Sequence, residues 1–260
     1  MLLEKKSLII VLRNRIKYIM IIIDAFWEKR NLGIDVIEVT FDGNENISEA
    51  KSALHNLNYQ YCVLKIPVGK IELLWAAQEL GYRMIETGIE LEAKTNNMDV
   101  PSLYKRFKPF LTIGDGDEII RNHVLDTIRS GSIFATDRIA LDPLFSREMA
   151  GERYYNWVND ELERGARLVI AYYKDNPIGF GVNKNLGNNV YDAFLGGILP
   201  DAANKGLGFA ALYANYVSIS KQGGVKIVTR VSSNNPPILR LHMQYGYVTT
   251  SMNYVLVKHQ

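Results

Sequence analysis

The sequence predicts an α/β (α+β) chain in two parts, in which a smaller β/α domain precedes a larger one built on a central mixed sheet flanked by helices. Three observations carry this expectation. The early residues alternate β-branched runs with helical spacing, the middle of the chain is mostly helical in pattern, and from Leu168 onward three strands linked by turn signals lead into a strand, helix and strand ending.

The run 34–41 is β-branched and partly alternating, which predicts a half-buried strand ended by Asp42-Gly43-Asn44. A helix is expected over 48–57 with Ser48 as its N-cap, then a strand over 61–66. A helix from about Lys70 to Leu80, a turn at Gly81 and a strand over 83–92 complete the first part. The stretch 96–102 contains a proline and is polar apart from Met98 and Val100, so it marks a boundary between domains 1–100 and 101–260. Beyond it, 110–113 reads as a strand and 115–128 as a helix whose leading acids Asp115, Asp117 and Glu118 suit the positive end of its dipole. Residues 147–164 have the spacing of a long helix stopped at Gly165. Strands over 168–173, 177–183 and 190–199 are joined by Lys174-Asp175-Asn176 and Leu186-Gly187-Asn188-Asn189, both hairpin signals. A helix over 206–222, a strand over 225–231, a helix over 236–244 and a strand over 248–257 finish the chain. Leu80-Gly81-Tyr82-Arg83 and Tyr245-Gly246-Tyr247-Val248 each follow a helix and precede a strand, which suggests two related halves. The first half has no glycine-rich turn and carries Ala77 where the second has His242, so it is expected to shape the protein rather than do chemistry.

The 260 residues carry 30 basic and 28 acidic side chains, a net charge of +2, so no overall field gathers nucleic acid or an anionic membrane. An anionic ligand must be held locally. Cys62 is the only cysteine, which excludes an internal disulfide and a cysteine zinc cluster and suits a reducing, cytoplasmic setting. The apolar run 8–23 is broken by Arg13, Arg15 and Lys17, each costing about 2.5 to 3.5 kcal/mol at the centre of a bilayer, so it reads as soluble structure. It also lacks a signal-peptide pattern, and residues 1–17 are assigned no role.

The chemistry sits in the segment 196–210, a strand passing through the turn Asn204-Lys205-Gly206-Leu207-Gly208 into a helix that opens near Phe209. Backbone N–H groups of such a turn, with the helix dipole behind them, can hold a pyrophosphate without a metal, and Lys205 could add a charge. The same spacing also fits an ordinary strand-to-helix connection. It is not a P-loop, since Gly-Lys-Ser/Thr is absent. Nor is it the dinucleotide fingerprint, because the preceding strands are hairpin-linked, although Ala211 at its third glycine position is tolerated by a variant form.

The strand ending Ile198-Leu199-Pro200 followed by Ala203-Asn204-Lys205-Gly206-Leu207-Gly208 resembles the acetyl-CoA motif Arg/Gln-x-x-Gly-x-Gly/Ala of the GNAT N-acetyltransferases. Residues 234–247 resemble that family's next motif, in which an asparagine opens a helix, an aromatic acid lies seven residues on, and Gly-Phe or Gly-Tyr follows. The resemblance implies the GNAT fold, with acetyl-CoA as co-substrate and no metal, wedged between the strands 194–199 and 225–231. It implies that the pantetheine arm pairs with backbone groups of Gly197, Ile198 and Leu199, as an added strand does. It further implies that Asn235 touches the cofactor near its thioester, where an N-cap role reads equally well. Two positions depart from the motif: Ala203 replaces the usual arginine or glutamine, and His242 replaces the usual tyrosine. An imidazole titrates near neutrality and could protonate the departing CoA thiolate; the same position also reads as a packed helix histidine.

The order of Asn31-Leu32-Gly33-Ile34, Gly81-Tyr82-Arg83, residues 132–138 and Arg153-Tyr154-Tyr155-Asn156-Trp157-Val158 resembles the dTDP-fucosamine acetyltransferase type, enzymes that acetylate the 4-amino group of a nucleotide-linked deoxysugar. That resemblance places Phe134, Asp137, Arg138 and Tyr155 over the cleft mouth as acceptor-binding residues, with Arg138 pairing a diphosphate and an aromatic stacking on base or sugar. Tyr154, Tyr155 and Trp157 also fit an apolar helix stripe. For the general base, Asp192, Asp137 and a water chain all remain open. The expected partners are a small-molecule amine, a sugar nucleotide among them, and a second copy of the chain in a homodimer, with no nucleic acid and no membrane. The rival readings are transfer to another small amine, amino acid or protein N-terminus, and a non-catalytic acyl-CoA-binding protein.

Overall fold

The backbone run Val36–Thr40 lies as a strand beside Tyr61–Pro67 because both are β-branched or apolar on the faces they bury. The computed structural model describes Ile9, Ile10 and residues 20–260; most of the segment 1–17 and of the apolar run 8–23 lies outside the described residues. Among the described residues no helix is long and apolar enough to cross a membrane. The chain divides into two compact units, residues up to Gly88 together with Ser251–Gln260, and Ile89–Thr250.

The first unit holds β1 (Ile9–Ile10), β2 (Ile21–Asp24), α1 (Phe26–Leu32), β3 (Val36–Thr40), α2 (Ile47–His55), β4 (Tyr61–Pro67) and α3 (Ile71–Glu79). Its sheet runs β1-β2-β3-β4 and then takes the end of the last strand, β11 (Val248–His259), whose residues Asn253–His259 pair antiparallel with β4. β3 and β4 are parallel, so they need the α2 crossover between them. α2 and α3 bury Ala50, Leu54, Leu73, Leu74 and Ala77 against Val39, Leu64, Ile66 and Leu256. α1 was not expected. The N-cap of α2 is Asn46 and not Ser48: the Asn46 carboxamide oxygen accepts from the amides of Ser48 at 2.9 Å and Glu49 at 3.3 Å, a reach that Ser48 inside the first turn does not have.

The second unit is a mixed sheet in the order β5-β10-β9-β8-β7-β6, where β5 is Arg83–Lys94, β6 Leu111–Gly114, β7 Arg167–Tyr173, β8 Asn176–Gly187, β9 Val190–Ile198 and β10 Lys226–Ser232. Only the part of β5 from Ile89 belongs to it. The period of two along the strands sorts the core into two layers. Val169, Ala171, Tyr191, Ala193, Ile227 and Val231 face α7 (Phe209–Lys221) and α8 (Pro236–Gln244), while Leu168, Ile170, Phe180 and Val182 face α4 (Glu118–Arg129) and α6 (Arg147–Glu163). Both hairpins close on two residues with positive φ, Lys174 and Asp175 (50° and 63°) and Asn188 and Asn189 (51° and 58°), the backbone that matches strand twist.

The boundary expected near residue 100 is displaced to Gly88/Ile89, and the last ten residues do not belong to the second unit. The reason lies in the two apolar residues of the supposed linker. Met98 is 6% and Val100 1% exposed, packed in one core with Ile89, Leu91 and Ala93.

Candidate active site

A register shift in β9 accompanies its parting from β10 in the second unit. β9 and β10 are parallel and pair at Val190, Tyr191 and Asp192 with Lys226, Ile227 and Val228; among the described residues the pairing goes no further. At that point β9 bulges: between Asp192 and Leu195 it spends three steps where β8 spends two, from Lys184 to Val182. The bulge reverses which backbone groups look at which neighbour. At its start, the Ala193 carbonyl accepts from the Thr229 hydroxyl of β10 at 2.9 Å. Beyond it, the Leu199 amide donates to Ile178 of β8 at 2.9 Å, so by alternation Gly197 also faces β8, and Gly196 and Ile198 present their amides and carbonyls to the open side. Of the three residues expected to pair with a pantetheine arm, Ile198 turns its backbone to the open side, as does Gly196, while Gly197 and Leu199 turn theirs to β8. The sequence signals available were Asp192 inside the strand and the Gly196-Gly197 pair after it, since glycine within a strand often marks a bulge or a close backbone approach.

α7 is fixed over β8 and β9 by buried polar contacts. Asn183 donates to Asn215 at 3.1 Å and to Ser218 at 3.3 Å, and Asn215 donates to the Leu195 carbonyl at 3.1 Å. Gly181 makes the room: a Cβ there would sit 2.5 Å from the Asn215 carboxamide oxygen. At the head of α7, Asn204 (φ 61°) and Gly206 (φ 72°) take left-handed backbone, Lys205 is exposed, and Leu207 is buried as the turn's anchor. Among the described residues the amides of Gly206, Gly208 and Phe209 donate to no backbone acceptor. Gly208 has ordinary helical backbone (φ −54°) and nothing within 4 Å of an added Cβ, so neither conformation nor packing requires glycine there. A ligand approaching the helix start would. The Phe209 ring is core, stacked on Tyr104 at 4.6 Å, and only its amide faces the turn.

α8 begins at Asn235, whose side chain accepts from the Ile238 amide at 3.3 Å; the N-cap reading is the geometry present. The end of α8 is tied to the start of α7 through Tyr245, whose hydroxyl donates to the Phe209 carbonyl at 3.2 Å. His242 is 7% exposed, with Nδ1 2.8 Å from the Ile238 carbonyl and its ring edge-on to Tyr247 at 4.8 Å. A carbonyl only accepts, so Nδ1 carries the proton and Nε2 a lone pair. Burial lowers the imidazole pKa to about 4, against a partial opposing pull from the Ile238 carbonyl. A neutral ring with its proton already committed is a poor acid, and this geometry weighs against the proton-donor role and toward the packed-histidine one.

The acceptor candidates are drawn into packing. Phe134 stacks on Tyr154 at 4.0 Å, and Asp137 caps α5 (Arg138–Leu141) through the Ile139 amide at 2.9 Å while accepting from the Tyr154 hydroxyl at 3.0 Å. Tyr155 lies under the Arg129 guanidinium at 4.9 Å, and Arg138 opens α5 half-buried. Asp137 is therefore already engaged. Asp192 is different: it stands across the strands from Lys184 at the point where β9 leaves β10, and its carboxylate makes no direct hydrogen bond or ion pair among the described residues. Burial raises its pKa to about 6, with Lys184 and Arg230 pulling the other way and Glu90 and Glu161 adding to the rise. Of the two carboxylates offered as a base, Asp192 is the one without a direct side-chain partner.

No family model matches the sequence, and no curated protein does. Solved structures do match in shape. A GCN5-related N-acetyltransferase from Sphaerobacter thermophilus superposes with a TM-score of 0.59 at 9% identity over 93% of this chain and 76% of its own. The fold is that of the GCN5-related N-acetyltransferases. A functionally unknown conserved protein from Staphylococcus epidermidis matches at 0.59 and 12% identity over 99% of this chain and 96% of its own. A tandem GNAT protein from the clavulanic acid biosynthesis pathway matches at 0.50 and 11% over 87% and 78%. The splayed pair β9/β10 and the glycine turn lie within one unit, Ile89–Thr250.

Proposed function

We propose that the second unit transfers the acetyl group of acetyl-CoA directly to a primary amine. The observation that carries this reading is the bulged strand β9 parting from β10 after Asp192, with its open edge leading to the glycine turn at the head of α7. The chain's own groups fit the carrier: backbone of Gly196 and Ile198 for an extended amide arm, and the free amides of Gly206, Gly208 and Phe209 for a pyrophosphate. Acetyl-CoA supplies the thioester. Asp192 takes one proton from the bound ammonium and so frees the nitrogen lone pair; as nitrogen bonds to the acyl carbon and the C–S bond breaks, the second proton leaves nitrogen and reaches the CoA thiolate through solvent.

The finer expectation of a nucleotide-linked 4-amino-deoxysugar rests on sequence resemblance, since the residues offered for it pack internally. It enters the test as one substrate among several. The protein is incubated with acetyl-CoA and a panel of primary amines, including a dTDP-4-amino-4,6-dideoxysugar, and free thiol is followed. Amine-dependent release supports transfer; binding of acetyl-CoA with no release for any amine leaves an acyl-CoA-binding protein instead.

A further inference from the structure

The floor beside Asp192 is lined by charges that have already chosen partners. Glu161 of α6 accepts from Lys184 at 3.0 Å and from Arg164 at 3.1 Å, Glu92 of β5 pairs with Lys226 at 3.0 Å, and Glu90 pairs with Arg230. Asp192 feels Lys184 and Arg230, yet among the described residues its carboxylate makes no direct ion pair, since those cations are bound to Glu161 and Glu90. Two steps along the bulged strand, Phe194 meets Trp157 of α6 with ring centroids 4.8 Å apart, and both rings keep part of their surface open. The Phe194 ring already accepts one ammonium, that of Lys184 at 5.3 Å, so its face is electrostatically suited to another.

Building on the transfer reading above, we infer that the acceptor is a primary alkylammonium whose remaining skeleton is neutral or cationic, docked between Asp192 and the Trp157–Phe194 wall, and that amines bearing a nearby carboxylate or phosphate are rejected. An incoming ammonium gives the Asp192 carboxylate the direct partner that the neighbouring cations, held by other acids, do not. An additional anion on the acceptor meets Glu161, Glu90 and Glu92 on the same floor, while the cations that could receive it are held by those same acids.

Amines of equal length and different charge test this: 1,4-diaminobutane, 1-aminobutane and 4-aminobutanoate, with a dTDP-4-amino-4,6-dideoxysugar as the diphosphate case. Thiol release should give kcat/KM for the diamine about tenfold or more above that for the aminobutanoate, with the sugar nucleotide no better than the latter. Calorimetric titration of the protein saturated with CoA should show the same order of binding. Lys184→Gln and, separately, Arg230→Gln each strip one cation from the floor and should widen the diamine-to-aminobutanoate ratio about threefold or more, a change that a purely structural role would not produce. Comparable or faster turnover of 4-aminobutanoate or of the sugar nucleotide, or a ratio unmoved by both substitutions, overturns the inference and leaves acetyl transfer standing. Absence of release with every amine overturns both.

Discussion

His242 occupies the position where the motif led one to expect an acid, yet its environment is that of a core residue. Its folded pKa, about 4, lies below the ordinary 6.5, so between those values the unfolded chain binds the proton that the folded one refuses. Stability from this group is therefore full above about pH 6.5 and lost as pH falls toward 4, by roughly 3 kcal/mol. Urea unfolding at pH 7.5 and 4.5 should show that loss in the native protein and a smaller one in His242→Phe; equal losses would mean the ring is not buried neutral. Asp192 carries the opposite expectation for activity. Asp192→Asn should lower kcat/KM by about 10²-fold or more and remove an ascending limb centred near pH 6, while His242→Phe keeps that limb. The residue identities at both sites were visible in the sequence. Which was free to act was not, because it depends on the Ile238 carbonyl reached one helical turn away and on a bulge that re-aims the strand.

Among the elements, α8 was read from sequence with its observed bounds, since Asn235 caps it and the prolines at its start and Gly246 beyond its end punctuate it strongly. Both hairpins were equally legible from their Asn and Asp turns. The bulge was not, because Asp192 and the Gly196-Gly197 pair mark Val190–Ile198 as irregular without fixing where the register shifts. At this scale two glycines separate packing from binding. Gly208→Ala fits the backbone and the space, so its melting temperature should stay level or rise, by up to about 1 kcal/mol of stability. Affinity for CoA should meanwhile fall about tenfold or more, since the methyl group projects where the phosphates approach. Gly181→Ala should behave in the opposite sense, losing about 1 to 3 kcal/mol of stability as its methyl strikes Asn215. Unchanged CoA affinity in Gly208→Ala would remove the turn from the site.

For the whole molecule, the last ten residues do work that the sequence order conceals. A final strand after a helix reads as the close of the second domain, whereas Asn253–His259 lie against Tyr61–Pro67 and bury Leu256 in the first unit's core. Pairing between segments so distant along the chain leaves no local trace. Deletion of residues 251–260 should therefore open the first unit, and Cys62 reports it: the buried thiol, pushed up to about 12 by burial, is inert to a thiol reagent in the native protein and should react rapidly after the deletion. The same inertness leaves the central assay clean, because CoA is then the thiol that a reagent sees. The most direct measurement is the stoichiometry of a single reaction, CoA thiol released against amide formed on 1,4-diaminobutane, followed together by absorbance and mass spectrometry. One amide per thiol, saturable in the amine and suppressed in Asp192→Asn, is the expected result; thiol release without amide, or neither product while acetyl-CoA binds, would contradict direct acetyl transfer.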